Sequence, residues 1–456
     1  MGKFLNYVKN KKWAIIYLVF LLCLSLTLAV VQPNDAGPDE SMKMDVCKFI
    51  VDHGYLPHGG DESIRDELWG NSYGFTPITP YILGSGVISI ARNFTNDIHV
   101  YYICARIVSV VFYLLMAIFT IKIGEKLFKN KYYKWIFIML TTLLPQVLFI
   151  GSYINCDSLA LFSIALIVYA WLEGIETKWN WKSCIILAIG VGTCALSYYN
   201  AYGYILTSVI LYVATAIINK IKIKEFLKKG IIISLITLTI CGWWFVRNAI
   251  IYNGDFLGMK TSEEYNEQYG VDYLKPSNIE TPQRQGMSLI NMLFTEKWVQ
   301  LTLKSFIALF GIMNLVPPFY IYYFFFAVFA GGIIGYIAKY FSLKYLKEFI
   351  KDKNKLLLEV IFGINVIIPI ALSIFYSFNN DFEPQGRYIM PMLIPFMYFI
   401  TKGIQNILDK IIKNEKARKV LQIILMTALV VIAIFTVYYI IKVYIAHGFD
   451  IFLKQN

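Results

Sequence analysis

The sequence predicts an all-α polytopic membrane protein with about 11 transmembrane helices and two long structured loops on one side of the bilayer. Three observations carry this. Hydrophobic residues fill 57% of the 456 positions against 16% charged, with a positive mean hydropathy, a balance that soluble domains do not show. A spanning helix needs about 20 mostly apolar residues. Charged or turn-rich breaks divide the chain into 11 such runs, near 13–31, 102–121, 135–152, 158–172, 183–198, 202–218, 230–250, 315–338, 356–377, 388–408 and 420–445. Lysine and arginine also alternate between loops as the positive-inside rule requires.

The elements follow in order. The first run is preceded by Lys9, Lys11 and Lys12 and leads into an acidic segment with no small-residue cleavage pattern, so 1–31 reads as a short cytoplasmic segment plus a retained anchor. Residues 32–101 are far longer than a hairpin connection requires and form the first outer loop. Within it, Ile78 to Ala91 is bounded by Thr76-Pro77, Thr79-Pro80 and glycines 84 and 86. It is short for a span, and counting it as one would invert every later loop against the charge rule, so an interfacial helix is predicted. Spans two to seven occupy 102–250, and a second long outer loop, 251–314, ends in another interfacial stretch from Trp298 to Gly311 that carries Lys304. Spans eight to eleven take 315–445 and leave 446–456 as an outer tail. Pro145-Gln146, Pro391 and Pro395 interrupt spans and predict kinks.

Sidedness comes from charge. With the N-terminus cytoplasmic, segments 1–12, 122–134, 173–182, 219–229, 339–355 and 402–419 hold 28 of the 42 Lys and Arg, whereas 10 acidic residues lie in 32–98 and 7 between 251 and 296. The net charge of +12 therefore marks a basic inner face, not a nucleic-acid partner. High Lys and Ile usage fits a bacterial plasma membrane. The seven cysteines have no metal-type spacing and read as small core hydrophobes. No phosphate-cradling loop, dinucleotide fingerprint or nucleophile elbow is present, which leaves nucleotide-powered transport and hydrolase chemistry unsupported. A transporter or flippase of lipid-linked saccharides is the rival class, with a non-enzymatic surface-polysaccharide assembly protein as a third. Transporters place polar groups at the bilayer midplane, often in repeated halves. This chain shows no internal repeat and keeps its charges at outer helix ends.

The sharpest local feature is Pro38-Asp39-Glu40, just beyond the first span. Adjacent carboxylates where a helix leaves the membrane are partly desolvated, which suits one of them to act as a base; the alternative is a solvated acidic turn. Four further motifs follow: Tyr73-Gly74-Phe75-Thr76-Pro77-Ile78-Thr79-Pro80-Tyr81; Ser152-Tyr153-Ile154-Asn155-Cys156-Asp157-Ser158-Leu159-Ala160; Lys304-Ser305-Phe306 with Phe310-Gly311; and Gln385-Gly386-Arg387-Tyr388-Ile389-Met390-Pro391. In this order and loop placement the chain resembles the GT-C superfamily of membrane glycosyltransferases. It is more closely similar to a bacterial multi-spanning family that shares Pro-Asp-Glu after the first helix. One position departs from the pattern: those relatives commonly carry a histidine three residues after the glutamate, where this chain has Lys43, and His53 and His58 are the histidines left nearby.

The resemblance implies transfer of a sugar from a polyprenyl-phosphate donor to a cell-surface glycan, lipid or protein on the outer membrane face, with inversion by direct displacement. That chemistry needs a base for the acceptor hydroxyl and cations for the departing phosphate. Asp39 is the candidate base, with Glu40 orienting it or sharing a divalent cation with it. Asp157 is either a second carboxylate of the same cavity or the N-cap of the fourth span. Arginine occurs only seven times, and it forms bidentate bonds to phosphate. Arg247 and Arg387 at outer helix ends are therefore candidate phosphate ligands and Arg106 a weaker one, against a headgroup-anchoring alternative. Gln385, Tyr388, Tyr199, Asn200 and Asn155 are the candidate substrate-lining residues. Most of the 33 Tyr, 33 Phe and 9 Trp belong to interfacial belts, and Tyr198-Tyr199-Asn200 sits at a sharp outer turn.

Overall fold

The computed structural model describes residues 2–341 and 350–447. Residues 342–349 of the predicted inner loop, and all of the predicted tail except 446 and 447, lie outside the described residues. Eight helices among the described residues are long and apolar enough to cross a membrane. They are α1 (Gly2–Val31), α4 (Ile98–Leu127), α7 (Asp157–Thr177), α9 (Gly203–Ile218, continued by the 3₁₀ turn Tyr199–Ala201 to a span of 20 residues), α10 (Ile223–Ile251), α13 (Phe319–Tyr340), α14 (Lys353–Asn379) and α16 (Glu415–His447). The other three predicted spans are not among these eight. Run 135–152 divides into α5 (Lys131–Thr142) and α6 (Pro145–Ile150) because Pro145, lacking an N–H, opens a new helix. Run 183–198 is α8 (Trp181–Ala195), 15 residues long. Run 388–408 begins as a tight 3₁₀ turn over Gly386–Met392 before α15 (Leu393–Ile411).

The bundle is built around α7, whose most apolar window is 83% buried, whereas that of α10 is only 17% buried and forms an outer wall. Ile231, Leu235, Leu238, Val246 and Ile250 point out of α10 into the surroundings, as lipid-facing side chains do. Helix α7 packs between α4 and α8, α8 on α10, and α1 against α4 and α16. Helices α13 and α15 approach so closely that a Cβ on Gly403 would stand 1.7 Å from the Gly332 carbonyl oxygen. Small residues at such a crossing replace side-chain packing by backbone contact.

The two long loops are helical and lie on the same face. The first holds α2 (Glu40–His53) and α3 (Thr79–Ala91), the second α11 (Met259–Tyr269) and α12 (Trp298–Ile307). The two predicted interfacial stretches are α3 and α12 within one to four residues; α2 and α11 were not anticipated. Val271 N–H donates to the Leu68 carbonyl at 3.0 Å, the Asn71 amide to Ser262 at 2.8 Å, and Gly59 N–H to the Tyr252 hydroxyl at 3.0 Å. The Arg65 guanidinium lies 3.9 Å from the Tyr269 ring centre. These bonds join the loops into a single cap. All seven cysteines are free, and all but Cys23 are buried.

Candidate active site

Between α1 and α2 the chain turns through Pro33 to Pro38, and Asp35 and Asp39 both take positive φ, 57° and 52°. Aspartate is among the few side chains that tolerate this region, at a cost of roughly 1–2 kcal/mol. Ser41 N–H donates to the Asp35 carboxylate at 2.8 Å and so fixes the turn. Its consequence is that consecutive carboxylates face opposite ways.

Glu40 points into the protein and is fully buried with Arg106. Arg106 donates from Nε and Nη2 to the two carboxylate oxygens, each at 2.8 Å, while Ile154 N–H at 2.9 Å and Gly37 N–H at 3.2 Å complete the shell. Arg106 also donates to the carbonyls of Ala29, Gln32 and Pro33. Burial alone would raise the Glu40 carboxyl, but Arg106 and the backbone donors hold it below its usual value. Both residues are consumed in fastening the end of α1, the start of α2, α4 and the Tyr153-Ile154 turn. Glu40 therefore has no lone pair left for a cation shared with Asp39, and Arg106 has no face toward a ligand. Among the described residues no group of three or more His, Cys, Asp or Glu is placed to hold a metal ion.

Asp39 points the other way, with its side chain 34% exposed. The Tyr73 hydroxyl donates to Oδ2 at 2.7 Å, Arg387 donates to the same oxygen at 3.4 and 3.5 Å, and Lys43 Nζ stands 4.0 Å away. Burial raises the Asp39 carboxyl, and the charges of Lys43 and Arg387 with the Tyr73 bond outweigh it, so the group lies below its ordinary value and is ionised. Lys43 is 2% exposed, donates to the Pro38 carbonyl at 2.5 Å and lies over the Tyr73 ring. Its own affinity for a proton is lowered, first by burial, with Asp39 working in the opposite direction.

Arg387 is held by a backbone device. Gly386 N–H donates to Ser305 Oγ at 2.6 Å, and a Cβ on Gly386 would meet Phe306 N at 2.0 Å, so glycine alone permits the approach. The motifs Lys304-Ser305-Phe306 and Gln385-Gly386-Arg387 are thus two sides of one contact. Arg387 also donates to the Tyr388 hydroxyl at 3.1 Å, and Tyr388 in turn donates to Glu383. Burial pushes the Glu383 carboxyl up, against the pull of Arg387. Gln385 Oε1 and Arg387 Nε are buried with no hydrogen-bond partner among the described residues.

Asp157 opens α7 and is 7% exposed. Capping falls to Asn155 instead, whose Oδ1 accepts from Ser158 N–H at 2.8 Å while its amide donates to the Ile150 and Tyr153 carbonyls. Asn155 is thereby spent on the backbone and lines no substrate space. The Asp157 carboxylate has no hydrogen bond to another of the described residues, only to its own backbone N–H, and lies in the fields of Arg387, Lys43 and Asp39.

The remaining candidates separate. Tyr198 stacks near Tyr388 and Asn200 donates to the Tyr388 carbonyl at 3.3 Å. Tyr199 donates to the Leu257 carbonyl at 2.7 Å and lines a cavity between the loops. Arg247 does not join the cluster: it donates to the Pro57 carbonyl at 2.6 Å and to Asn248 at 3.2 Å and lies over Trp244, tying α10 to the first loop. His53 stacks on Phe49 and His58 packs on Tyr252, so neither substitutes at the Lys43 position. Sequence reasoning named Asp39, Asp157 and Arg387 and missed Lys43, Tyr73 and Glu383. The departure at position 43 and the Asp381-Phe382-Glu383 run beside Gln385 were the available signals.

A sugar acceptor hydroxyl brought to Asp39 would meet an ionised carboxylate, and an anion beside it would meet Lys43 and Arg387. The fold is similar to that of ArnT from Cupriavidus metallidurans in the apo state, with TM-score 0.51, 10% identity, and coverage of 87% of this chain and 60% of that one. The same enzyme bound to undecaprenyl phosphate gives 0.50 and 12%, covering 92% and 63%. The oligosaccharyltransferase AglB from Archaeoglobus fulgidus, in complex with an inhibitory peptide and a dolichol-phosphate, gives 0.54 and 13%, covering 95% and 55%. ArnT and AglB are GT-C glycosyltransferases, so the chain has a GT-C fold, and it spans less than two thirds of the length of each. No curated protein sequence matches the chain. Residues 59–396, well over half of its length, match the family described as predicted membrane protein (DUF2142), and the chain belongs to that family of multi-pass membrane proteins.

Proposed function

We propose that this protein is a membrane glycosyltransferase that moves a sugar from a polyprenyl-phosphate donor to a cell-surface acceptor on the extracytoplasmic face. The observation that carries the proposal is the meeting of Asp39, Lys43, Asp157 and Arg387, drawn from three separate segments, beneath the loop cap. Asp39 takes the proton of the acceptor hydroxyl as its oxygen attacks the anomeric carbon; the bond from that carbon to the phosphate oxygen breaks, and the configuration inverts. Arg387 and Lys43 hold the departing phosphate. A bound phosphate also cancels the cationic field that depresses the Asp39 carboxyl, so donor binding raises its basicity when it is needed. Asp157 lies in the field of the same two cations, and Tyr388 with Glu383 fixes the guanidinium. Glu40 and Arg106 position Asp39 without touching substrate. The basic inner loops support placement of the cap outside, and the undecaprenyl phosphate and dolichol-phosphate bound by ArnT and AglB support a lipid-phosphate donor.

The test compares surface glycans in wild type, a deletion strain and Asp39→Asn at matched expression. Loss in both altered strains is expected, and full restoration by the Asn variant removes Asp39 as base. Purified Arg387→Ala should bind undecaprenyl phosphate at least ~10-fold more weakly, the loss of a charge-assisted pair; unchanged affinity refutes the phosphate assignment.

A further inference from the structure

Beside the cluster lies a cavity of about 480 Å³ walled by both outer loops and the end of α14. It touches the cluster twice. On one side Thr76 lines it and bonds to the Tyr73 carbonyl, and the Tyr73 hydroxyl bonds to Asp39. On the other, Tyr376 lines it with its ring 6.4 Å from that of Tyr388, the partner of Arg387.

The lining has a definite chemistry. Trp69, Tyr199 and Tyr376 supply rings, and Tyr376 is 44% exposed although it stands at a loop-covered helix end. Asn379 and Asn380 supply carboxamides, which both donate and accept; the Asn379 amide donates to the Phe375 carbonyl, and the Asn380 carboxamide has no partner among the described residues. Glu263 and Asp381 are anionic; the single cation, Arg284, spends Nη1 on the Pro276 and Ile279 carbonyls. A phosphate or sulfate would meet two carboxylates against one cation here, and an acyl or isoprenoid chain would strand the free Asn380 amide. A sugar ring offers what this wall complements: an apolar C–H face for an aromatic ring and hydroxyls that need donor and acceptor on one group.

We infer that this cavity is the acceptor subsite and that it takes a neutral saccharide chain, an inference that rests on the glycosyltransferase reading. A chain seated along Trp69 and Tyr376 presents its terminal hydroxyl toward Asp39 and leaves the phosphate to Arg387 and Lys43.

The test uses the purified full-length protein in lipid nanodiscs, titrated by calorimetry with cellotetraose, maltotetraose, mannotetraose and chitotetraose at millimolar concentrations, with undecaprenyl phosphate titrated in parallel. At least one tetrasaccharide should bind, and Asn380→Ala should weaken it roughly 3- to 10-fold, the worth of one or two hydrogen bonds. Trp69→Ala should weaken it further, while both variants keep the wild-type affinity for undecaprenyl phosphate, which shows them folded. No saccharide binding, binding indifferent to both substitutions, or binding of an uncharged peptide in place of any saccharide overturns the inference. If undecaprenyl phosphate binds and saccharides do not, the acceptor assignment alone falls. If saccharides bind and undecaprenyl phosphate does not, the subsite stands and the donor reading falls.

Discussion

Glu40→Gln separates scaffolding from chemistry in the Pro-Asp-Glu motif. The glutamate receives four donors, two from Arg106 and two from backbone N–H groups, and its side chain and that of Arg106 are both 0% exposed. Glutamine keeps the shape but turns one acceptor into a donor facing donors, and leaves the guanidinium as an uncompensated buried charge. Breaking such a pair costs about 3–5 kcal/mol, toward the lower end here because the Ala29, Gln32 and Pro33 carbonyls still receive Arg106. Asp39→Asn, at a part-exposed site whose αL backbone asparagine also tolerates, should cost less than ~1 kcal/mol. The assay is reversible SDS unfolding of the purified proteins, with undecaprenyl phosphate binding by the folded fraction as a second readout. Glu40→Met combined with Arg106→Met should recover much of the lost stability, because an apolar pair of similar volume replaces the ions. A Glu40→Gln protein as stable as wild type that nevertheless loses glycan transfer would refute the structural role and return Glu40 to the chemistry.

Gly386→Ala should weaken undecaprenyl phosphate binding at least as much as Arg387→Ala, since its Cβ would stand 2.0 Å from Phe306 N and 2.3 Å from Phe306 Cα, and backbone cannot yield; retained affinity in calorimetry would show the contact to be dispensable. Lys43→His should make that binding pH-dependent, falling as pH rises through ~6.5 or somewhat lower as the imidazole loses its proton, whereas a flat profile would place Lys43 outside the phosphate site. Asp39 and Glu40 both lie below their ordinary values of 3.8 and 4.5. A carboxyl depressed in the folded state stabilises fully above its unfolded value and loses that contribution as pH falls through the folded one. Asp39→Asn should therefore flatten the acid limb of stability below about pH 4, and an unchanged limb would mean that the Lys43 and Arg387 fields are screened.

The membrane body was legible because run length is a one-dimensional property: twenty apolar residues announce a span whatever lies beside them. Where a proline or a tight turn cuts a run, as at Pro145 and Gly386–Met392, the bundle keeps the segment and changes its shape. Helix α2 escaped because its buried face includes Glu40 and Lys43, which look solvent-facing until their partners 66 residues onward and in the turn before are known. The same ambiguity misassigned Asn155 alone: it and Asp157 both suit a cap, and only the position of the helix start decides which carboxylate or carboxamide stays free. Arg247 and Arg387 are alike in sequence context. Their separation into a loop tether and a cluster member depends on which loop folds over which, a matter of tertiary arrangement that no local pattern carries.

The contact between Arg387 and Asp39 joins residues 348 positions apart. At synthesis rates of 5–20 residues per second, the carboxylate waits roughly 20–70 s for its cation. Until then Lys43 is its only cationic partner in the cluster, even after Ser262 and Val271, which bond Asn71 and Leu68, have joined the second loop to the first. A chain arrested just before the 3₁₀ turn at Gly386 has most of its helices and still lacks the arginine that faces Asp39. The cluster of Asp39, Lys43 and Arg387 is therefore no local property of the first loop: it comes together only once the chain has been made through residue 387.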